Sequence, residues 1–300
     1  MIKTLITIVG PTAIGKTALS IKIAQKFKTA IISADSRQFY REMNIGTAKP
    51  SSEELAAAPH FFINSLSIHD DYSAGDFEKE ALAKIEELFQ EKDQLVLVGG
   101  SGLFIKAICE GLDELPKPLP GIREKLNKLH QEKGLGHLQE ELKKKDPLYY
   151  KSVDINNPQR VIRALEVYES TGKPFSSFHQ RKTNVRPFEI LKIGLNTDRE
   201  QLYQRINRRV DQMMEEGLLE EVTALSPQHP LPPLLTVGYN ELFDYLQGKY
   251  GLEVATEKIK QHTRQFAKRQ ITWFKKDHKT YWFDPQHETD IMSFIEANIY

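Results

Sequence analysis

One octet, Gly10-Pro11-Thr12-Ala13-Ile14-Gly15-Lys16-Thr17, constrains the fold of this chain more than any other stretch. It fits the pattern G-x-x-x-x-G-K-[ST] of a phosphate-binding loop, whose glycines let backbone N–H groups turn toward an oligophosphate. An apolar run precedes the octet and a helical pattern follows it, which is the context that the motif requires. The octet indicates phosphate binding, but it does not specify a reaction.

The overall composition excludes several classes of protein. The 300 residues carry 41 basic and 41 acidic side chains, so the formal net charge of zero gives no general argument for nucleic-acid binding. A single cysteine excludes a disulfide framework. No stretch approaches the roughly 20 apolar residues that cross a membrane, and no signal peptide is evident. We expect a monomeric cytoplasmic protein with no membrane partner.

Alternating strand and helix patterns predict an α/β fold. The phosphate loop leads into a helix and a buried strand at 29–33, and another central strand is predicted at 94–98. Three prolines between residues 111 and 121 mark a boundary, beyond which the pattern is helical and highly charged. We predict a P-loop NTPase-like parallel sheet core with an all-helical insertion domain and a helical C-terminal region. The predicted division is 1–112 for the first part of the core, 113–185 for the insertion, and 186–300 for the rest of the core and a basic helical C-terminal region.

An acidic residue that a nucleotide-hydrolysing site would need is missing. P-loop NTPases usually end a second apolar strand in an acid that helps to hold Mg²⁺. Here the strand that ends at Val98 runs into Gly99-Gly100-Ser101. Asp35 follows the strand at 29–33, where it could act as a general base on a substrate beside the phosphates. The alternative for Asp35 is the capping of a turn.

Further blocks of sequence follow the phosphate loop in a fixed order. They are Asp35-Ser36 with Tyr40, Ile45 to Pro50, Tyr72 to Ala74, Val98 to Gly102, Asn157 to Glu166, and Val237 to Tyr239. Together these blocks resemble the bacterial tRNA dimethylallyltransferases over almost the whole chain. The resemblance implies transfer of a dimethylallyl group from dimethylallyl diphosphate to N6 of the tRNA adenosine immediately 3′ of the anticodon. A loop that clamps a diphosphate leaving group moves no phosphoryl group, so it needs no second acid for Mg²⁺.

The resemblance also implies roles for individual residues. Lys16, the loop amides and Thr17 with Mg²⁺ would neutralise the diphosphate, and Asp35 would orient the adenine amine and accept its proton. Ser101 stands where the family commonly has threonine, and its hydroxyl can bond the diphosphate or the amine. Arg205 and Arg209 are one helical turn apart and are candidates for a further diphosphate contact. The sequence leaves open which of the two faces the ligand.

Recognition of the tRNA anticodon stem-loop would require base flipping and several contact regions. Aromatic residues interleaved with the basic C-terminal helix are predicted to form its buried face. The expected tRNA contacts are Asp35, Ser36, Arg37 and Gln38 for the flipped base; Arg123, Gln159, Arg160, Val161, Ile162 and Arg163 in the insertion; Val237, Gly238 and Tyr239; and Lys268 and Arg269 in the C-terminal helix.

Three alternatives differ in substrate class. An adenylate isopentenyltransferase would act on free AMP, ADP or ATP, but it would not need the insertion or the basic C-terminal helix. A P-loop small-molecule kinase would consume ATP. A non-catalytic RNA-binding protein would leave Lys16, Thr17 and Asp35 without a purpose.

Overall fold

Six parallel strands form a single sheet in the computed structural model, which describes residues 2–179 and 184–299. The strands are β1 (Thr4–Val9), β2 (Ile31–Ser33), β3 (His60–Phe61), β4 (Gln94–Val98), β5 (Glu189–Leu195) and β6 (Thr280–Phe283). Their spatial order is β3-β2-β4-β1-β5-β6. Since parallel strands end at the same edge of a sheet, the segments after β1, β2 and β4 lie side by side. The predicted α/β core with a parallel sheet is confirmed.

Helices connect the strands and make up most of the C-terminal half of the chain. They are α1 (Lys16–Lys26), α2 (Ser52–Ala57), α3 (Ala74–Leu88), α4 (Gly102–Glu110), α5 (Ile122–Lys145), α6 (Pro147–Ser152), α7 (Pro158–Thr171), α8 (Arg199–Glu215), α9 (Leu218–Leu225), α10 (Tyr239–Leu246), α11 (Leu252–Phe274) and α12 (Glu288–Asn298). Short 3-10 turns occupy Phe175–Ser177, Ser226–Gln228 and Pro232–Leu234.

The central strand β1 is buried along its whole length, as expected for a parallel strand with helices on both faces. Successive side chains of a strand point to opposite faces. Ile6 and Ile8 accordingly pack in one apolar cluster, and Leu5 and Val9 pack in another on the opposite face. This two-sided burial fixes the position at which β1 ends and the phosphate loop begins.

The C-terminal region also contains one strand that the sequence pattern does not predict. The edge strand β6 pairs with β5, with Lys192 opposite Thr280 and Leu195 opposite Phe283. Its four residues are too few to show a clear period of alternation, which explains why the sequence pattern does not reveal it.

The chain folds as two compact units, one formed by Met1–Glu110 with Val185–Tyr300 and the other by Gly111–Asn184. The unit Gly111–Asn184 has a core of its own, and its bounds lie within two residues of the predicted 113–185 insertion. Its described elements are α5, α6, α7 and the turn at Phe175–Ser177. Residues 180–183 fall within the predicted insertion but lie outside the described residues. Among the described helices, none combines the length and the apolar character needed to cross a membrane.

Candidate active site

The phosphate loop joins β1 to α1 through backbone that only some residues adopt easily. Gly10 has φ 146° and Gly15 has φ 107°, both in the region that favours glycine. A Cβ on Gly10 would also lie 2.6 Å from the carbonyl oxygen of Leu195, so this position has no room for a side chain. The two glycines thus allow the loop to wrap in front of the N-terminus of α1, which begins at Lys16.

Lys16 lies at the base of the site with its ammonium held by the loop. Its Nζ donates to the carbonyl oxygens of Gly10 at 3.0 Å and Pro11 at 2.7 Å. Burial lowers the pKa of Lys16 from 10.5 to about 8, while nearby Asp35 opposes the shift and nearby Arg209 adds to it. Burial disfavours the charged ammonium, so an anion that binds beside Lys16 would stabilise it.

Asp35 follows β2 and Ser101 follows β4, and Ser101 bonds to Ser36, the neighbour of Asp35. The Asp35 Oδ1 accepts a hydrogen bond from the Arg37 amide at 3.0 Å, which holds the carboxylate in an Asx-type turn. The Ser101 Oγ accepts from the Ser36 amide at 3.0 Å and lies 3.0 Å from the Ser36 Oγ. The turn-capping alternative for Asp35 therefore describes its local bonding, but the residue also lines a large cavity.

A cavity of about 900 Å³ brings together most of the residues predicted from the sequence. Its wall is polar and cationic toward the phosphate loop, and it includes Arg208, which was not among the predicted residues. The predicted residues that line it are Thr12, Ala13, Ile14, Gly15, Lys16, Thr17, Asp35, Ser36, Arg37, Gln38, Ser101, Arg205, Arg209, Val237, Gly238 and Arg269.

Both arginines of the α8 pair line the cavity. Arg205 approaches the loop, since its Nη2 lies 3.4 Å from the place where a Cβ on Gly15 would be. Arg209 donates to the carbonyl oxygen of Ala48 at 3.4 Å. Burial lowers the pKa of Arg209, and Asp35 opposes that shift. The geometry places both side chains within the cavity wall beside Lys16 and Asp35.

Two aromatic residues of α11 form an apolar part of the same wall. Phe266 is 38% exposed and Trp273 is 39% exposed, so the prediction that the aromatics of this helix are buried is wrong for both. Phe274, at the next position, is buried as predicted. A Cβ on Gly102 would lie 2.3 Å from the indole of Trp273, so the glycine is what lets α11 come so close to the start of α4.

Tyr239 is fully buried, which contradicts its predicted contact with tRNA. Its hydroxyl donates to the Glu221 Oε1 at 2.6 Å, and burial, together with Glu221, raises the pKa of Tyr239. Glu221 in turn accepts hydrogen bonds from three successive amides, those of Asn44, Ile45 and Gly46, at 2.8 to 3.1 Å. Tyr239 therefore stabilises the loop that carries Gly46 to the cavity wall instead of meeting a nucleotide.

Within the unit Gly111–Asn184, Val161 and Ile162 are also buried, at 0% and 1% exposure. The predicted tRNA contact is wrong for these two side chains because they lie on the apolar face of α7 and pack in that unit's core. The adjacent Arg160 is exposed, and Gln159 lies beside it at the start of the helix. Resemblance of a block of sequence does not tell which of its residues face inward.

Arg123 and Arg163 of this unit converge on Glu166. The Glu166 carboxylate accepts from Arg123 twice at 2.9 Å and from Arg163 at 2.8 Å. Burial alone would raise the pKa of Glu166, but the hydrogen bonds from the two arginines outweigh it and lower the pKa. The two predicted tRNA-binding arginines therefore also organise the start of α7, where Gln159 accepts from Arg123 at 3.3 Å.

Gln270 is a polar residue of the site that sequence patterns did not predict. It is 6% exposed on the buried face of α11, together with Ala267 and Phe274. Its Oε1 accepts from the Thr12 amide at 2.9 Å, and its Nε2 donates to the Gly100 carbonyl oxygen at 2.9 Å. A glutamine on the apolar face of an amphipathic helix was the available signal.

The donor groups near Thr17 fit a hard cation bound together with its ligand. A side cavity of about 40 Å³ is lined by the oxygen-bearing side chains of Thr17, Ser33 and Asp35, and also by Lys16 and by apolar residues such as Ile63. In the described ranges 2–179 and 184–299, no cluster of three or more His, Cys, Asp or Glu is placed to hold a metal. Such a donor set suits Mg²⁺, which keeps water ligands and binds mostly through substrate phosphates.

Comparisons with known proteins agree with this geometry. The IPP transferase family model matches residues 38–277. A tRNA dimethylallyltransferase of Christiangramia forsetii is 55% identical over 98% of each chain. The structure of a tRNA isopentenylpyrophosphate transferase from Bacillus halodurans superposes with a TM-score of 0.71 at 36% identity, covering 99% of this chain and 97% of that one. A eukaryotic dimethylallyltransferase structure, described as acting on tRNA, gives a TM-score of 0.77 at 28% identity, covering 94% of this chain and 74% of the other.

Proposed function

The chain belongs to the IPP transferase family, and on that premise we propose that it transfers a dimethylallyl group from dimethylallyl diphosphate to N6 of the tRNA adenosine immediately 3′ of the anticodon. One observation carries the proposal. The phosphate loop, the Asp35 carboxylate and an apolar aromatic wall line the same cavity. These are the parts that transfer of an apolar group from a diphosphate to an amine requires.

At the diphosphate end, the cations neutralise the charge that develops as the C1–O bond breaks. Lys16 and the loop amides would bind the departing oxygens, and Arg205 and Arg209 line the cavity beside them. Bound Mg²⁺, with Thr17 as a protein ligand, would supply further positive charge to the leaving group. The electron pair of the C1–O bond leaves with the diphosphate.

At the acceptor end, N6 of the adenine forms the new bond to C1 and loses a proton. An exocyclic amine conjugated to a purine is a poor nucleophile, so its rate depends on position and on a base. Asp35, which lines the cavity, would orient the amine and accept that proton. Ser101 holds the Ser36 amide and thereby the segment that follows Asp35.

The apolar wall provides a place for the dimethylallyl group. Phe266 and Trp273 expose ring surface to the cavity, and Leu103, which also lines it, is 46% exposed. A dimethylallyl group packed on this surface would exclude water, which would otherwise compete with the adenine amine for the activated allyl carbon. This wall distinguishes the cavity from a site built for phosphoryl transfer to water.

An adenine stacked in an anticodon loop cannot reach this cavity unless it is flipped out of its stack. Arg37 and Gln38 line the cavity beside Asp35, where a flipped base would be read. Exposed Lys268 and Arg269 on α11 would bind the phosphate backbone. We propose that the chain acts as a monomer in the cytoplasm, where its tRNA substrate is found.

Labelled dimethylallyl diphosphate tests the proposal directly. The protein is incubated with Mg²⁺, the labelled donor and one acceptor at a time, namely unmodified tRNA, AMP or ADP. We expect label in tRNA at the adenosine adjacent to the anticodon. Label in AMP or ADP alone would assign the enzyme to free nucleotides, and ATP consumption without any label transfer would replace prenyl transfer with a kinase.

A further inference from the structure

Gln270 connects the two sides of the cavity through a single side-chain amide. Its carboxamide oxygen accepts from the Thr12 amide in the phosphate loop, and its nitrogen donates to the Gly100 carbonyl after β4, both at 2.9 Å. One partner is a donor and the other an acceptor, so only one orientation of the amide satisfies both. A buried polar group with both bonds made is rigid and specific.

The bond to Thr12 also acts on Lys16. The N–H of Thr12 and the C=O of Pro11 belong to the same planar peptide group. Gln270 holds the N–H side of that plane, and the Lys16 ammonium donates to its C=O side at 2.7 Å. Rotation of this peptide would therefore move the oxygen that holds the ammonium.

The bond to Gly100 acts on the opposite side of the cavity. Gly100 precedes Ser101, whose hydroxyl accepts from the Ser36 amide next to Asp35. One turn along α11 from Gln270, Trp273 packs against Gly102, so the helix contacts this segment twice. The segment after β4 is thus fixed by α11 from one side and joined to the Asp35 segment on the other.

We infer that Gln270 is a positioning residue, which sets the phosphate-loop peptide that holds Lys16 and fixes the distance between that loop and the Ser101–Asp35 side of the cavity. The inference rests on the proposed function, in which Lys16 binds the diphosphate. Gln270 itself need not touch either substrate. Its loss should therefore weaken diphosphate binding more than recognition of tRNA.

Substitution Gln270→Met tests the inference, because methionine keeps the length of the side chain and removes both hydrogen bonds. Gln265→Met, at an exposed position of the same helix, is the matched control. We measure the Kd of inorganic diphosphate with Mg²⁺ by calorimetry, the KM for each substrate, and the melting temperature. For Gln270→Met we expect the Kd of diphosphate and the KM for dimethylallyl diphosphate to rise about tenfold, as for loss of a buried hydrogen bond. The KM for tRNA should rise by much less than the KM for dimethylallyl diphosphate.

A second variant reaches the same contact without altering Gln270. A Cβ at position 100 would lie 2.4 Å from the Gln270 Nε2, and Gly100 has no left-handed backbone conformation that would oppose alanine. Gly100→Ala should therefore displace the amide and reproduce the defect in diphosphate binding. Because Gly100→Ala acts through the Gln270 amide, which Gln270→Met already removes, the double variant should bind diphosphate as weakly as Gln270→Met and no more weakly.

Three results would overturn the inference. They are wild-type diphosphate affinity in Gln270→Met, an additive effect of the two changes, and a rise of the tRNA KM that matches the rise for the diphosphate substrate. The last result would mean that Gln270 only stabilises the fold around α11. Failure of the wild-type protein itself to bind diphosphate would instead refute the proposed function, so the two failures can be told apart.

Discussion

Lys16 should make the stability of the ligand-free protein depend on pH. Burial lowers its pKa from 10.5 to about 8 in the folded protein, whereas a lysine in the unfolded chain titrates near its ordinary value of about 10.4. Between these two values the unfolded state binds more protons than the folded state. The free energy of unfolding therefore rises with pH in this window, and below it the folded protein bears the cost of burying an ammonium.

The size of the effect follows from the two pKa values. Integration of the proton-binding difference from about pH 7 to about pH 9.5 gives a gain of about 2 kcal/mol relative to a protein that cannot titrate at this position. Lys16 faces an open cavity, so water screens its charge and this value is an upper limit. For a chain of this size the gain corresponds to a few degrees in melting temperature.

Urea unfolding of three proteins measures this gain. Lys16→Met has a neutral side chain of similar length, and Lys16→Arg keeps its charge throughout this pH range. The stability of the wild type should rise relative to both variants between the two pH values, while the difference between the variants stays constant. If the wild type and Lys16→Met instead change in parallel, Lys16 titrates alike in the folded and unfolded states and the argument from burial fails.

Three further outcomes concern the reaction and the surfaces around it. Asp35→Asn keeps the shape of the side chain but removes the base, so kcat should fall by about 10²–10⁴-fold. A gel-shift assay should show unchanged tRNA binding. A loss of binding as large as the loss of kcat would contradict the role of Asp35 as a base. Neutralising Lys268 and Arg269 with glutamine should weaken tRNA binding and reduce its salt dependence relative to Lys79→Gln, an exposed control on α3; unchanged binding would remove this face of α11 from the interface. Tyr239→Phe should lower the free energy of unfolding by about 1–2 kcal/mol in urea titrations, since it leaves the partly buried Glu221 carboxylate without this donor. Full stability combined with weakened tRNA binding would instead support the tRNA contact predicted from the sequence.

The part of the site that the sequence predicts well is local in the chain. Lys16, Asp35 and Ser101 each lie just beyond the end of a strand, and parallel strands bring their ends to one edge of a sheet. A strand and the residues after it can be recognised from the pattern of apolar residues alone. The α/β core and its phosphate loop could therefore be predicted before the packing of any side chain was known.

The rest depends on contacts between distant parts of the chain. Gln270 bonds a residue 258 positions away in the phosphate loop and another 170 positions away after β4, and no local pattern encodes such partners. Tyr239 lies in a block that resembles the family, which suggests a contact with tRNA, yet its partner Glu221 makes it a support for another loop. Helical periodicity predicts that Trp273 is buried because it does not distinguish a buried face from one that lines a cavity.

The missing acid after β4 has a steric explanation. A Cβ on Gly99 would lie 2.4 Å from the carbonyl oxygen of Ala34, and a Cβ on Gly100 would lie equally close to the Gln270 amide. A carboxylate at either position would push away the backbone that leads to Asp35 or the side chain that holds the phosphate loop. The glycines after β4 therefore let the ends of β2 and β4 approach closely, and this close approach brings Asp35 to the cavity. An acidic side chain at Gly99, as in a phosphoryl-transfer site, would displace the backbone that leads to Asp35, the proposed base.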